Sequence, residues 1–390
     1  MKKILIQTKL KSWAKHIFSL TLSKDKSHYL LKIFFLKIKV FKKPKHPFKN
    51  ANENTVLIIE RQNHHGECLP SYIKYLNDLK FHVDILLIPA LLNQQPFCLM
   101  PSDADYSIIE CPEKCFKKVL QDKKILKYKH IIIATAAFEY IPKISMIQRF
   151  PILQKFPSLY LIEHDIKDID DHDERPYLEK NRILTLWNFG LGQMINPCYF
   201  GNTKITPEND EKSATFIVVG ALEKERKNHL LLFESIEKLI DLKQNFHVII
   251  IGRNQNAYPI SEKLKPYITL TGFIPYPQMF DEVEKADFFL TLLDPENEDH
   301  NRYITSGVTG STQLILGFAK VPIIQKKFAD FYGFDDTNAL VYTDDITNSM
   351  LKAIHMPKQK YQACQKVLIQ KQQELFNTSE KNLKRILKNL

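Results

Sequence analysis

No apolar run in this 390-residue sequence approaches the roughly 20 residues that a membrane-spanning helix needs. The N-terminus has neither the apolar h-region nor the small-residue cleavage site of a signal peptide, so a cytoplasmic protein is the expectation. No GxGxxG follows any strand-like segment, which disfavours a dinucleotide-dependent dehydrogenase. The six cysteines (Cys68, Cys98, Cys111, Cys115, Cys198 and Cys364) are scattered, and no second pair complements Cys111 and Cys115. Two thiolates alone make a poor tetrahedral zinc site, so free thiols are expected. Beyond residue 50 there is no basic stripe or recognition motif, and a nucleic-acid partner is not expected. Internal repeats and low-complexity tracts are also missing.

What is present is the balance of a folded globular chain, with 44% hydrophobic and 25% charged residues. The length suits two domains with a core each. The net charge of +11 is unevenly placed: residues 1–50 hold 14 Lys, no Arg and one acid, Asp25, for +13, and the remainder sums to −2. Within this head, Tyr29 to Lys43 interleaves Leu, Ile and Phe with Lys. Two readings fit: a segment lying on an anionic bilayer, or a helix packed on the neighbouring domain with its lysines in solvent.

From Thr55 onward, short Val/Ile/Leu runs alternate with amphipathic stretches, the pattern of βα units around a parallel sheet. A first series of strands is expected at 55–60, 82–88, 106–110, 130–134, 159–163 and 182–187, and a second at 214–220, 247–252, 268–271, 287–293, 321–325 and 339–342. Residues 196–213, rich in Pro, Asn and charge, separate them as a linker. The expected division is a basic extension (1–53), a first α/β domain (54–195), the linker, a second α/β domain (214–356) and a polar C-terminal helix (357–390). A helical pattern also covers Ile346–Ile354.

In the second series a buried strand ends at Gly220, and Arg226 and Lys227 follow near a helix start. They suit a diphosphate, although solvated first-turn residues are the simpler alternative. Further along come Ile249-Ile-Ile-Gly252, Leu270-Thr-Gly-Phe-Ile-Pro275, a helix carrying Met279, Phe280 and Val283, and an acidic loop, Asp294-Pro-Glu-Asn-Glu-Asp299. Tyr303 to Leu314 then runs into a helix closing on Lys320-Val-Pro322. In the Gly307–Ser311 loop, two glycines with Thr309 and Ser311 at a helix start present N–H groups and hydroxyls to an anion; a plain helix cap is the rival account.

This ordered series, over about residues 214 to 355, resembles the C-terminal domain of GT-B glycosyltransferases, especially the group that includes bacterial lipopolysaccharide and capsule enzymes. The resemblance implies two Rossmann-like domains facing a cleft. It assigns Gly220, Arg226 and Lys227 to the donor diphosphate, and Gly272 and Phe273 to the nucleotide base. Tyr303, Gly307, Thr309, Gly310 and Ser311 complete the implied donor site. The sequence departs from the family where two glutamates commonly stand, which here are Gly307 and Ile315, and where an arginine is common, which here is Ala221. Asp294 or Glu296 are candidate replacements.

In an open α/β sheet, ligands sit outside the carboxyl ends of strands. There the first series offers His64, His65, Gly66 and Glu67, and later His164. Such groups suit a general base, and a polar turn is the competing reading of the paired histidines. The stretch Asp168 to Glu174 (DIDDHDE) is acidic but lacks an ordered ligand spacing, so it reads as a solvated loop and no metal is expected. The resemblance implies hexosyl or related transfer, without metal or cofactor, from a nucleoside-diphosphate sugar to a surface-glycan or lipid-linked acceptor. Residues 1–50 would contact the inner membrane face. Two alternatives stay open: an epimerase or phosphorylase on the same fold, and a non-catalytic glycan-binding or accessory protein.

Overall fold

The computed structural model describes residues 18–22, 28–33, 36–41, 47–140, 143–205, 213–223, 225–253 and 259–388. Strands β1 (Phe18–Leu22), β2 (His28–Ile33) and β3 (Leu36–Phe41) pair as an antiparallel sheet. This corrects the helical reading of the 29–43 run. Its Leu36-Lys-Ile-Lys-Val40 portion alternates apolar and basic residues with period 2, a sequence pattern that matches a strand and not the 3.6-residue period of a helix.

Seven parallel strands form the first sheet: β4 (Thr55–Glu60), β5 (His82–Leu87), β6 (Tyr106–Glu110), β7 (His130–Ile133), β10 (Leu159–Glu163), β11 (Ile183–Thr185) and β12 (Gln193–Met194). Between β7 and β10, β8 (Ala137–Tyr140) and β9 (Lys143–Ser145) make a small hairpin that the hydrophobic pattern did not announce. The sheet order is β12-β11-β10-β7-β4-β5-β6. All six residues of β4 are buried, as expected of a parallel strand covered by helices on both faces.

The second sheet contains β13 (Ala214–Val219), β14 (Phe246–Ile251), β15 (Ile268–Gly272), β16 (Phe288–Leu290), β17 (Val321–Gln325) and β18 (Leu340–Tyr342), in the order β15-β14-β13-β16-β17-β18. The expected class, α/β with two Rossmann-like sheets, is therefore what forms. In each sheet the order reverses beside the first strand, at β4/β7 and at β13/β16, and that reversal opens a crevice at the carboxyl ends.

The helices that matter for the site are α1 (Leu69–Asp78), α2 (His229–Asp241), α3 (Tyr276–Lys285), α4 (Glu298–Thr305), α5 (Gly310–Gly317) and α6 (Lys358–Lys388). The 31 residues of α6 give a rod of about 46 Å, long enough to touch both halves. Tyr361 near its start donates to Asp287 O at 2.5 Å. Toward its end Ser379 Oγ accepts from Asn196 N at 2.9 Å, and Leu383, Ile386 and Leu387 are buried. In the 196–213 segment, Asn196, Cys198 and Phe200 are buried, Phe200 against the rings of both Phe280 and Phe318; residues 206–212 lie outside those described. Among the described residues no helix is long and apolar enough to cross a membrane.

Candidate active site

The loop after β4 is held tightly. Glu60, at the strand's carboxyl end, accepts from Gln62 N at 2.6 Å and from the Thr135 hydroxyl at 2.7 Å. Burial raises its carboxyl to about 7 in spite of these bonds. His65 adopts a left-handed backbone (φ 67°) before the short turn Gly66–Cys68 that leads into α1. This turn swings His64, His65 and Glu67 into the cleft, all three half-buried. A Cβ on Gly66 would come within 2.7 Å of Leu91 and 3.2 Å of the Tyr276 ring, so the turn sits directly against the other half.

His164, one residue beyond β10, joins them: the His65 and His164 rings lie 4.3 Å apart, and those of His64 and His65 4.4 Å. His164 Nε2 is 3.0 Å from Ala134 O, and a carbonyl can only accept, so Nε2 carries the proton and Nδ1 the lone pair of the neutral ring. Burial, then the charge of His65, lowers His164 to about 3, and the same two causes lower His64 to about 4. Both rings are neutral at physiological pH. Glu67 behaves in the opposite way. Burial would raise it, but His65, at 3.8 Å from Nδ1, and the Tyr276 hydroxyl, donating at 2.6 Å, hold it down to about 2. His65 is thus backed by a permanent carboxylate, an arrangement that orients an imidazole for proton transfer.

The facing wall is cationic. Arg226 and Arg253 both act on the charge of His64 across the cleft. Arg226 Nη1 donates to the Tyr303 hydroxyl at 3.4 Å, and the Arg253 guanidinium lies 4.7 Å over the ring of Phe273, which is 54% exposed. Lys227 is buried, its Nζ donating to Thr291 O at 2.7 Å and Ser311 Oγ at 2.9 Å. Desolvation alone lowers it to about 7, and no carboxylate among the described residues forms an ion pair with it. A buried ammonium without a counter-charge is costly unless a ligand supplies one.

Gly220 (φ 141°) and Gly252 build this wall by close approach. A Cβ on Gly252 would fall 1.8 Å from Gly220 O, so the ends of β13 and β14 pass only because side chains are missing there. Gly272 is also left-handed (φ 72°) and turns the chain into Phe273. Thr309 caps α5, its side chain accepting from Ser311 N at 3.3 Å. Beside Gly310 there is open space, and Gly307 bridges Asp165 of the first half, whose carboxylate sits 3.4 Å from Arg302. Asp294 is engaged by Asn228 at 3.0 Å, Glu296 is exposed, and Ile315 lies in the core.

The structure thus brings His64, His65, Glu67 and His164 together on one wall, and Arg226 with Tyr303 on the other. Lys227 and Ser311 meet each other beneath that second wall. Sequence reasoning passed over Glu60, Arg253, Arg302 and Tyr276. Glu60 and Arg253 each stand at or just past the carboxyl end of a strand, a position that singles out both; Tyr276 carried no local signal.

The acidic stretch after His164 is a correction. It is not a solvated loop: Asp168–Asp171 forms a short helix, and Asp168, His172 and Glu174 are buried beside Glu163. The helix doubles the chain back, so residues without an ordered spacing in sequence meet in space, with one atom each of Glu163, Asp168 and His172 within 4.8 Å of one another.

Residues 213–299 match the family model described as "Glycosyl transferases group 1". No curated protein matches the chain in sequence. Among solved structures, a glycosyltransferase from Rickettsia africae superposes with a TM-score of 0.56 at 13% identity, over 87% of this chain and all of that one. HepE of Anabaena, solved with UDP-glucose, gives 0.51 at 11% identity over 85% and 99%. An alpha-glucosyltransferase solved with UDP and a DNA 13-mer gives 0.51 at 11% over 84% and 94%.

Proposed function

From a GT-B glycosyltransferase fold whose donor half is of the group 1 type, we propose that this chain transfers a sugar from a nucleoside-diphosphate sugar to a hydroxyl acceptor. The observation that carries this reading is the division of the cleft: proton-transfer groups on one wall, fixed cations and an uncompensated buried lysine on the other. The diphosphate takes Arg226 and Arg253 and supplies the counter-charge that Lys227 lacks, which stabilises the leaving group as charge develops on it. Phe273 and the turn at Gly272 meet the base, and the α5 N-terminus with Thr309 and Gly310 faces the phosphates. His65, oriented by Glu67, takes the acceptor proton, while neutral His64 and His164 bind hydroxyls without adding positive charge. The UDP-glucose bound in the Anabaena structure and the UDP bound in the alpha-glucosyltransferase structure support this choice of donor class.

The acceptor belongs to a surface glycan or lipid-linked precursor. Support comes from the +13 head, which is drawn to an anionic membrane where such acceptors lie. The test is calorimetric titration with UDP, GDP and CMP, repeated on Arg226→Ala and Arg253→Ala. One nucleotide should bind in the micromolar range and weaken in both variants; no binding to any nucleotide would favour a non-catalytic accessory protein.

A further inference from the structure

Next to His164, at the carboxyl end of β10, lies a second polar cluster that glycosyl transfer does not use. Glu163 ends the strand, Asp168 opens the short helix, His172 follows it, and Glu174 turns back over them. All four are buried: Glu163 is 2% exposed, Asp168 7%, His172 1% and Glu174 0%. His172 Nδ1 stands 3.4 Å from Glu163 Oε1 and 4.0 Å from Glu174 Oε1. Among the described residues neither oxygen of Glu174 meets a donor group, its carboxyl lying beside that of Glu163, and His172 Nε2 has no hydrogen-bond partner. Among the described residues the cation that reaches the cluster is half-exposed Lys143, 3.1 Å from Asp168 and shared with Asp171 at 2.6 Å.

Three buried carboxylates and an imidazole with one shared ammonium are short of positive charge. The geometry suits a small ion. Donors about 2.1 Å from a tetrahedral centre lie about 3.4 Å apart, the separation of His172 Nδ1 and Glu163 Oε1, and one atom each of Glu163, Asp168 and His172 lies within 4.8 Å of the others.

We propose that Glu163, Asp168, His172 and Glu174 bind one divalent transition cation of the zinc or manganese class, a set of one nitrogen and three oxygen donors. The ion is structural. It clamps residues 163–174, whose outer edge docks on the donor half through Ile166 N to Ser306 O at 2.8 Å and the Asp165–Gly307 bridge, and which carries His164. The proposal does not depend on the transferase reading, because its test measures metal.

The full chain is stripped with a chelator and titrated with Zn²⁺, Mn²⁺, Mg²⁺ and Ca²⁺, with bound metal measured by mass spectrometry and Tm by calorimetry. Zinc or manganese should bind at about one equivalent and raise Tm by several degrees. Glu174→Gln and His172→Gln should each abolish that rise, and Asp171→Asn, outside the donor set, should keep it. Glu174→Gln removes a buried acid and keeps its shape, so the test survives if His172→Gln fails to fold. No bound metal and no Tm change in the wild type, or a response to magnesium and calcium alone, would overturn the proposal; Glu174→Gln more stable than a metal-indifferent wild type would show a protonated carboxyl in the ion's place.

Discussion

The two sheets follow the same strand order about their first strands, β6-β5-β4-β7-β10-β11 in one half and β15-β14-β13-β16-β17-β18 in the other, yet their carboxyl ends hold opposite chemistry. The first end collects groups whose protonation is tuned: Glu60 raised, Glu67 lowered, His64 and His164 held neutral. The second collects the cationic side chains of Arg226, Arg253 and Lys227. The shared topology supplies a crevice in each half, and the side chains at the strand ends decide what each crevice does.

Substitutions can break this division or sharpen it. The largest effect is expected for His65→Ala: turnover should fall roughly 10²- to 10⁴-fold with nucleotide affinity unchanged, in steady-state kinetics paired with calorimetry. If binding fell as far as turnover, His65 would belong to the donor wall.

Glu60→Gln should change stability with pH. The folded carboxyl titrates near 7 against 4.5 when exposed, so its favourable contribution is complete below about pH 4.5 and lost as pH rises through about 7. The 2.5-unit difference corresponds to about 3 kcal/mol. Denaturant melts at pH 5 and 8 should show the wild type losing stability relative to the variant across that range; parallel curves would remove Glu60 from the tuned groups.

Lys227→Met keeps the volume and removes the charge. Nucleoside-diphosphate affinity should drop roughly a hundredfold, while the unliganded protein becomes no less stable, since a buried, uncompensated ammonium is gone. A destabilised variant with unchanged affinity would make Lys227 a structural residue. The smallest effect is expected for Tyr276→Phe, which deletes the bond to Glu67 that joins the two walls and should cost about 1 kcal/mol in a thermal melt.

Much of the fold was readable. Thr55–Glu60 and Phe246–Ile251 announce buried parallel strands by unbroken β-branched and apolar runs, and the helices over Tyr276–Lys285 and Ile346–Ile354 by their period. Edges were less readable: the strand expected over 287–293 is only Phe288–Leu290, because Thr291 to Leu293 leave the sheet, with Leu292 at φ 52°, while staying buried. His64, His65 and His164 could be nominated from their place after strands of the first sheet. That His65 would lean on Glu67, and Glu67 on Tyr276, could not, since Tyr276 stands 209 residues from Glu67.

The sequence by itself determined two α/β series, their order, and the concentration of positive charge in the first 50 residues, because periodicity and composition are properties of neighbours along the chain. Only the tertiary structure decided which polar residues would be buried together. Ser311 looks free to greet an anion and instead accepts from Lys227, 84 positions away; the DIDDHDE stretch looks solvated throughout and instead buries Asp168, His172 and Glu174 beside Glu163 while Asp170, Asp171 and Asp173 stay exposed. The reason is physical: desolvation and charge pairing depend on what packs within a few ångströms, and in this protein those neighbours come from distant strands, from the other half of the molecule, or from a short helix that reverses the chain.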